Sequence, residues 1–105
     1  MANYNTGPKP ETLEKYPTER EQKKHRAYLV ARCQAKFRCE DWDLLESDYF
    51  ELWEPHWDNR GRHSTGMVMT RIDWEAPWHR DNIEFMERKP FLQRVVEWQK
   101  MLQGA

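Results

Sequence analysis

The sequence predicts an α+β protein in which two helices are followed by a β-hairpin and a final helix. Three observations support this prediction: helix-like apolar spacing before residue 40, a strand-like run at residues 67–72, and helix-like spacing after Pro90. A chain of 105 residues suffices for one small domain. Six Trp, four Tyr and four Phe indicate an aromatic core, because disordered chains are poor in such residues.

The chain begins with a segment whose composition predicts flexibility. Residues 1–17 hold one glycine and three prolines among few apolar residues, which favours a loose, extended conformation. The single domain is therefore expected to span residues 18–105. Since no apolar run is long enough to cross a membrane and no secretory signal pattern begins the chain, we expect a cytoplasmic protein without a membrane partner.

A capping-box pattern marks the start of the first helix. Thr18 precedes Glu21 by three residues, and the helix should run to about residue 39. Leu29, Cys33 and Phe37 recur at four-residue spacing, so they should form its apolar face. The two cysteines of this helix point about 120° apart around its axis, so they are not expected to pair.

The middle of the chain predicts a second helix, a loop and a strand. The helix should begin near Ser47, a favourable N-cap, and end by Pro55. Residues 57–66 are rich in turn formers and predict a loop, whereas residues 67–72 predict a strand. Residues 73–81, with a central proline, predict another loop.

The last part of the chain predicts a short strand and a helix. Residues 83–86 alternate between apolar and polar types, as a strand does. A helix should begin at Pro90, a favoured first-turn residue, and end at Gly104. The predicted hairpin-and-helix unit therefore spans residues 66–103.

Charge alternates along the chain although its net value is −1. Residues 19–39 hold seven Lys or Arg against two acids, and residues 40–58 hold eight acids and no Lys or Arg. Residues 59–105 are basic again, with eight bases and six acids. The first helix could lie along a nucleic-acid backbone or dock on the acidic segment of its own chain, and the sequence favours neither.

Arg71-Ile72-Asp73, Pro77-Trp78, Asn82 and Arg88 form a spaced pattern, and with it the chain resembles phage and bacterial HNH-like proteins over residues 42–94. That family carries an Arg-Ile-Asp run, a Pro-aromatic pair, an Asn, and an Arg near the start of a helix. The upstream part carries a Trp and a Gly-Arg segment. The matching residues are Trp53, Arg60, Gly61, Arg62, Arg71, Ile72, Asp73, Pro77, Trp78, Asn82 and Arg88.

The resemblance implies a ββα-metal fold and, in active members, metal-dependent hydrolysis of DNA phosphodiester bonds. The cofactor that it implies is Mg²⁺ or another divalent cation, with Asp73 and Asn82 as the metal ligands. Asn82 would also orient the general base. The base position falls on Arg71, and His79 in the loop is the candidate substitute base.

Several departures separate this chain from an active nuclease. Arg71 stays protonated at any working pH and cannot accept a proton. Thr70 and Met67 replace an acid and a histidine that relatives often carry, and residues 89–93 hold no metal-ligating side chain. Arg71, Asp73 and Asn82 could equally form a structural cluster that fixes the hairpin loop.

Other residues are candidates for contacts with partners. Arg60, Arg62 and His63 could clamp phosphate oxygens together with Arg88, although a solvated loop is the plainer interpretation. Trp74 is expected to be an exposed anchor and Trp78 a core residue. No zinc is expected, because the spacing of the available ligands fits no standard zinc pattern; those ligands are Cys33, Cys39, His56 and His63.

Two functions remain open. The first is a phage-type HNH-like DNA-binding protein that acts as a DNA-nicking endonuclease. The second is a catalytically degenerate HNH scaffold that binds a host or packaging protein through the acidic, aromatic residues 40–58, with Trp42, Trp53 and Trp57 as anchors. Arg71 separates the two, since a binder tolerates a permanent cation where a nuclease needs a base.

Overall fold

The structure, a computed structural model, describes residues 10–104. It is mixed α+β, with 61% helix and 16% strand, which confirms the predicted fold class. The chain divides into two compact units, one that ends at Glu40 and one that begins at Asp41. The predicted domain of residues 18–105 therefore includes the second unit and most of the first.

Two helices form the first unit: α1 (Pro10–Lys15) and α2 (Glu19–Phe37). The prediction of an extended segment is wrong for residues 10–15, and residues 1–9 lie outside the described residues. Pro10 at the first position, Glu11 in the first turn and Lys15 in the last turn all suit a helix and its dipole.

The N-terminus of α2 is capped as the sequence predicts. The Thr18 side-chain oxygen accepts a hydrogen bond from the Glu21 backbone N–H at 3.1 Å, and its hydroxyl donates to the Glu21 carboxylate at 2.8 Å. The helix ends two residues earlier than expected, at Phe37, and Cys39 then adopts a left-handed φ of 60°. Both cysteines are free thiols, as predicted, and both are exposed, although Cys33 was expected on an apolar face.

The predicted apolar face of α2 is wrong. Leu29 is 39% exposed and Phe37 is 90% exposed, whereas the buried residues of this helix are Lys24, Tyr28 and Ala35. The pattern misled because Tyr and Lys also bury well: an aromatic ring and a long aliphatic stem are apolar over most of their length. Counting Leu, Cys and Phe alone therefore selected the wrong side.

The second unit combines short strands with two longer helices. In chain order its elements are β1 (Trp42–Asp43), α3 (Glu46–Trp53), a 3₁₀ helix (Glu54–Asn59), β2 (Met67–Arg71), β3 (Trp78–His79), a 3₁₀ turn (Arg80–Asn82), β4 (Ile83–Glu87) and α4 (Arg88–Gly104). Strands β2 and β4 pair antiparallel along five residues each, β1 and β3 pair parallel, and α4 packs against β2 and β4.

Several boundaries differ from the sequence prediction; the last helix, for example, begins at Arg88 and not at Pro90. Helix α3 begins at Glu46, because Asp48 caps its start by accepting a hydrogen bond from the Leu45 N–H at 3.2 Å. The predicted loop 73–81 contains β3, which forms because the Trp78 N–H donates to the Asp41 carbonyl at 2.8 Å. That partner lies far away in sequence. The predicted loop 57–66 also begins inside the 3₁₀ helix.

An aromatic core fills the second unit. Tyr49, Trp53 and Trp57 are all less than a tenth exposed. The Trp53 ring meets Phe85 of β4 edge-on at 4.9 Å, so α3 packs on the hairpin through aromatic contacts. Burial raises the pKa of the Tyr49 phenol to about 12, since the ionised form is poorly solvated there.

Candidate functional site

The loop between β2 and β4 holds most of the residues that the sequence singles out. Arg71 pairs with Ile83 as the last step of the hairpin ladder, and residues 72–82 make the connection. The Ile72 N–H donates to the Asn82 carbonyl at 3.1 Å and extends the pairing into the loop. Thus the two ends of the loop are held together before any side chain contributes.

The Asn82 side chain fastens this loop across its width. Its amide oxygen accepts a hydrogen bond from the Asp73 N–H at 2.8 Å. Its amide nitrogen donates to the Asp73 carbonyl at 2.9 Å and to the Pro77 carbonyl at 3.0 Å. Both amide hydrogens are therefore used, and the Asn82 side chain cross-links the backbone on the two sides of the loop.

Arg71 supports the same loop from the strand side. Its guanidinium donates to the Ala76 carbonyl at 2.9 Å and lies over the Trp78 ring, 5.2 Å from the centroid. Trp78 is buried, as predicted, and packs against Trp42 at 5.6 Å. The Arg71 guanidinium is thus anchored to the backbone and to an aromatic face.

Asp73 lies at the turn of the loop and is exposed. Its carboxylate accepts a hydrogen bond from the Glu75 N–H at 2.9 Å, and its carbonyl accepts one from the Ala76 N–H at 3.2 Å. Asp73 and Asn82, predicted as a pair, are in direct contact. The contacts are structural, however: the Asp73 carboxylate forms an Asx-type turn with Glu75, and the Asn82 amide bonds the backbone across the loop.

His79 makes its polar contacts away from this cluster. Its Nδ1 accepts a hydrogen bond from the Asp81 N–H at 3.1 Å, and its Nε2 lies 3.8 Å from the Asp43 carboxylate. Because β1 and β3 pair in register, Asp43 is the direct neighbour of His79. The candidate substitute base is therefore oriented by Asp43 and Asp81, on the β1 side of the loop.

The donors around Asp73 are a poor fit for a divalent cation. No group of three or more His, Cys, Asp or Glu with metal-binding geometry occurs within residues 10–104. Asn82 is neutral, and its amide oxygen already accepts a hydrogen bond from the Asp73 N–H. Asp73 is therefore the one anionic ligand of the predicted pair, whereas Mg²⁺ prefers a near-complete octahedron of oxygens. The predicted metal site stays a prediction.

Two charged residues that sequence reasoning missed face this loop from α4. Arg94 donates to the Ile72 carbonyl at 3.3 Å, pairs with Glu84 and lies over the Trp74 ring at 5.4 Å. Glu97 follows one turn later and lines a cleft beside Asp73. The sequence prediction considered helical ligands only up to residue 93, whereas Arg94 and Glu97 lie in the second and third turns of α4.

The four predicted phosphate-binding residues form a separate group. The Gly66 carbonyl accepts a hydrogen bond from the Arg88 N–H at 2.8 Å, and the Ser64 carbonyl accepts one from the Lys89 N–H at 3.0 Å. These bonds hold the loop of residues 60–66 against the start of α4. At Gly66 a β-carbon would lie 2.3 Å from the Gly61 oxygen, so the close approach requires glycine.

The side chains of this group differ in whether they already contact another side chain of the protein. Arg60 lies over the Trp57 ring at 3.6 Å, and His63 is 3.1 Å from the Thr65 hydroxyl. Arg62 and Arg88 form no ion pair with any residue between 10 and 104. We call Arg60, Arg62, His63, Arg88 and Lys89 the basic end of the hairpin.

The basic end and the loop cluster lie at opposite ends of the hairpin. Met67 pairs with Glu87 at the basic end, and Arg71 pairs with Ile83 at the loop. At about 3.4 Å per residue, a five-residue strand separates the two ends by roughly 14 Å. The structure therefore places the predicted phosphate-binding residues apart from the predicted catalytic and metal-binding residues.

The acidic segment of residues 41–58 is largely tied to its own unit. Arg80 bonds Asp48 at 2.9 Å and Glu51 at 2.5 Å, and this pairing holds the pKa of the Glu51 carboxyl below its usual range. Trp53 and Trp57 are 7% and 6% exposed, so they are core residues. The expectation that they anchor a partner protein is wrong.

Comparison with known proteins gives no match: no family model fits the chain, and neither a curated protein nor a solved structure is detectably similar to it. None of the helices within residues 10–104 combines the length and the apolarity needed to span a membrane.

Proposed function

We propose that this chain is a DNA-binding protein of the HNH-like ββα kind, in which the hairpin loop has a structural and not a hydrolytic role. The basic end of the hairpin contacts the DNA backbone. The order of an antiparallel hairpin followed by a helix supports the HNH-like part of the proposal. The separation of the basic end from the loop cluster is the observation on which the rest depends.

Three properties of the basic end support phosphate binding. Four bases and a histidine come together through backbone hydrogen bonds, so the loop is held in place before DNA arrives. Arg62 and Arg88 have no ion-pair partner in the described part of the chain and are available for phosphate. The positive end of the dipole of the 17-residue helix α4 lies at the same place and favours an anion nearby, while the first two N–H groups of the helix already bond the Gly66 and Ser64 carbonyls.

The loop cluster supports a structural role. A general base must accept a proton, and the guanidinium of Arg71 cannot do so. The Asn82 amide, which would orient a base, is occupied by three hydrogen bonds to backbone atoms. His79 is engaged with Asp81 on the other side of the loop. These residues can all be explained by the need to close an eleven-residue connection.

Salt-dependent binding to a short DNA duplex tests the first half of the proposal. We expect the logarithm of the affinity to fall linearly with the logarithm of salt concentration. In Arg62→Ala/Arg88→Ala the slope should decrease by about 2, because each phosphate contact contributes about 0.9. Lys100→Ala, near the far end of α4, is the matched control and should leave the slope unchanged. Binding that does not depend on salt, or a salt slope that is the same in the wild type and both variants, contradicts the proposal.

A plasmid-nicking assay with Mg²⁺, Mn²⁺, Zn²⁺ and Ni²⁺ tests the second half. We expect the plasmid to remain supercoiled with every ion. Nicking by the wild type that disappears in Asn82→Ala, at a temperature where that variant is folded, would show that the loop is a hydrolytic centre. In that case the endonuclease function implied by the family resemblance is correct.

The alternative function, binding of a host or phage protein through residues 40–58, loses its proposed anchors. Two of its three tryptophans are buried, and Asp48 and Glu51 are both paired with Arg80. We therefore rank it below DNA binding.

A further inference from the structure

A cleft opens between the hairpin loop and the last turns of α4. Its volume is about 320 Å³, near the lower end of the roughly 300–1,000 Å³ typical of ligand sites, so it suits a side chain better than a nucleotide. Ile72, Trp74, Trp98 and Met101 give it apolar walls. Ile72 is 52% exposed and Met101 is 57% exposed, so the rim is both apolar and open to solvent.

The side chains that line the cleft carry an excess of negative charge. It is lined by Asp73, Glu97 and Arg94. Arg94 is neutralised by its pairing with Glu84, which lies outside the cleft. Asp73 and Glu97 have no ion-pair partner among residues 10–104. The cleft therefore presents two uncompensated carboxylates next to indole rings.

The fold already shows that this environment accepts a cation. The Arg94 guanidinium lies 5.4 Å from the centroid of the Trp74 ring while bonding the Ile72 carbonyl. Trp98 packs against Trp74 at 5.6 Å with its plane inclined by 60°, so the two rings form a bent aromatic wall. A second cation beside this wall would gain both cation–π and carboxylate contacts.

We propose that this cleft binds a lysine or arginine side chain presented by a partner polypeptide. The aliphatic stem packs on Trp98 and Met101, and the charged head pairs with Asp73 and Glu97. A polypeptide is the better occupant than a free amine because the exposed rim residues need a covering surface that extends beyond one side chain. The site lies at the loop, away from the basic end, and does not depend on the proposed DNA binding.

Nuclear magnetic resonance of the tryptophan indole N–H groups tests the proposal directly. The probe is the capped peptide acetyl-Ala-Leu-Lys-Leu-Ala-amide, titrated into the ¹⁵N-labelled full chain. Parallel titrations use the same peptide with arginine, norleucine or glutamate at the centre, and n-butylammonium chloride. We expect the lysine and arginine peptides to shift the indole resonances of Trp74 and Trp98, identified by their loss in Trp74→Phe and Trp98→Phe.

Charge variants distinguish a cation-binding site from a purely apolar surface. Glu97→Gln should weaken the lysine peptide about fivefold, as expected for loss of one partly exposed ion pair. Glu87→Gln removes an equally exposed acid at the basic end and should change nothing. Both side chains are exposed, so both variants should keep the wild-type backbone spectrum.

Three results would overturn the proposal. The first is no movement of either indole resonance with any cationic peptide. The second is equal binding of the norleucine or glutamate peptide, which would mean that charge is irrelevant. The third is equal binding of n-butylammonium, which would mean that no polypeptide is needed.

Discussion

The two ends of the β2–β4 hairpin use polar residues in opposite ways. At the loop end, Asn82, Arg71 and Asp73 direct hydrogen bonds into the loop's own backbone. At the basic end, backbone atoms hold the loop and leave Arg62 and Arg88 without ion-pair partners in the described chain. Residues of one sequence pattern therefore have two uses: those at the loop end stabilise the scaffold, while Arg62 and Arg88 at the basic end remain available for a ligand.

The largest expected change in the free energy of unfolding comes from a substitution at the loop end. Asn82→Ala removes three hydrogen bonds to loop backbone atoms and should lower the free energy of unfolding by about 3 kcal/mol, at about 1 kcal/mol for each bond. Urea denaturation followed by tryptophan fluorescence measures it. Asn59→Ala, an exposed asparagine outside the loop, should shift the midpoint little. Equal shifts of the urea midpoint in the two variants would mean that the Asn82 hydrogen bonds do not stabilise the fold.

The basic end depends on backbone packing instead. Gly66→Ala would place a β-carbon 2.3 Å from the Gly61 oxygen, and moving that backbone should cost about 2 kcal/mol of unfolding free energy. The variant should also bind DNA more weakly, since the loop carrying Arg62 shifts. Gly104→Ala is the control, because nothing lies within 4 Å of the β-carbon it adds. A fully stable Gly66→Ala protein would contradict the close approach of these two glycines.

A pair of arginine variants separates effects on the free energy of unfolding from effects on DNA binding. Arg71→Met loses the bond to the Ala76 carbonyl and the contact with Trp78, so it should lower the unfolding free energy by about 1 kcal/mol without changing the salt slope of DNA binding. Arg62→Met should do the reverse, with unchanged stability and a slope smaller by about 1. If both variants lose the same property, the two ends do not have separate roles.

Near neutral pH the smallest effect concerns the core beneath the hairpin, where a change in stability appears only above pH 10. The pKa of Tyr49 is raised to about 12, so its phenol stays neutral in the folded protein while the unfolded chain ionises from about pH 10. Stability is therefore unaffected below pH 10 and falls as the pH rises toward 12. Absorbance titration at 295 nm should show one late tyrosine that is missing in Tyr49→Phe. A titration without a late component would place Tyr49 in contact with water.

The sequence anticipated the local elements well and the long-range arrangement poorly. The Thr18 cap, strands β2 and β4 and the end of α4 follow from patterns within a few neighbouring residues. The β1–β3 pair could not be foreseen, because its strands are two residues long and the Trp78 N–H finds its acceptor 37 positions away at Asp41.

The candidate site was predicted in composition but not in geometry. The contact of Asp73 with Asn82 was foreseen from the motif, whereas the roughly 14 Å between the loop and the basic end follows from strand register, which spacing alone does not reveal. Arg94 and Glu97 were missed because only the pairing of α4 with the hairpin shows which of its turns reaches the loop. Helical periodicity counted from Phe91 would have placed Arg94 and Trp98 on that side.

The most direct test of the division between the two ends is a titration of the ¹⁵N-labelled protein with a short DNA duplex at low salt. We expect the backbone amide resonances of residues 60–66 and 88–89 to move, with those of residues 72–82 staying in place. Shifts concentrated in residues 72–82, with the basic end unchanged, would contradict the account.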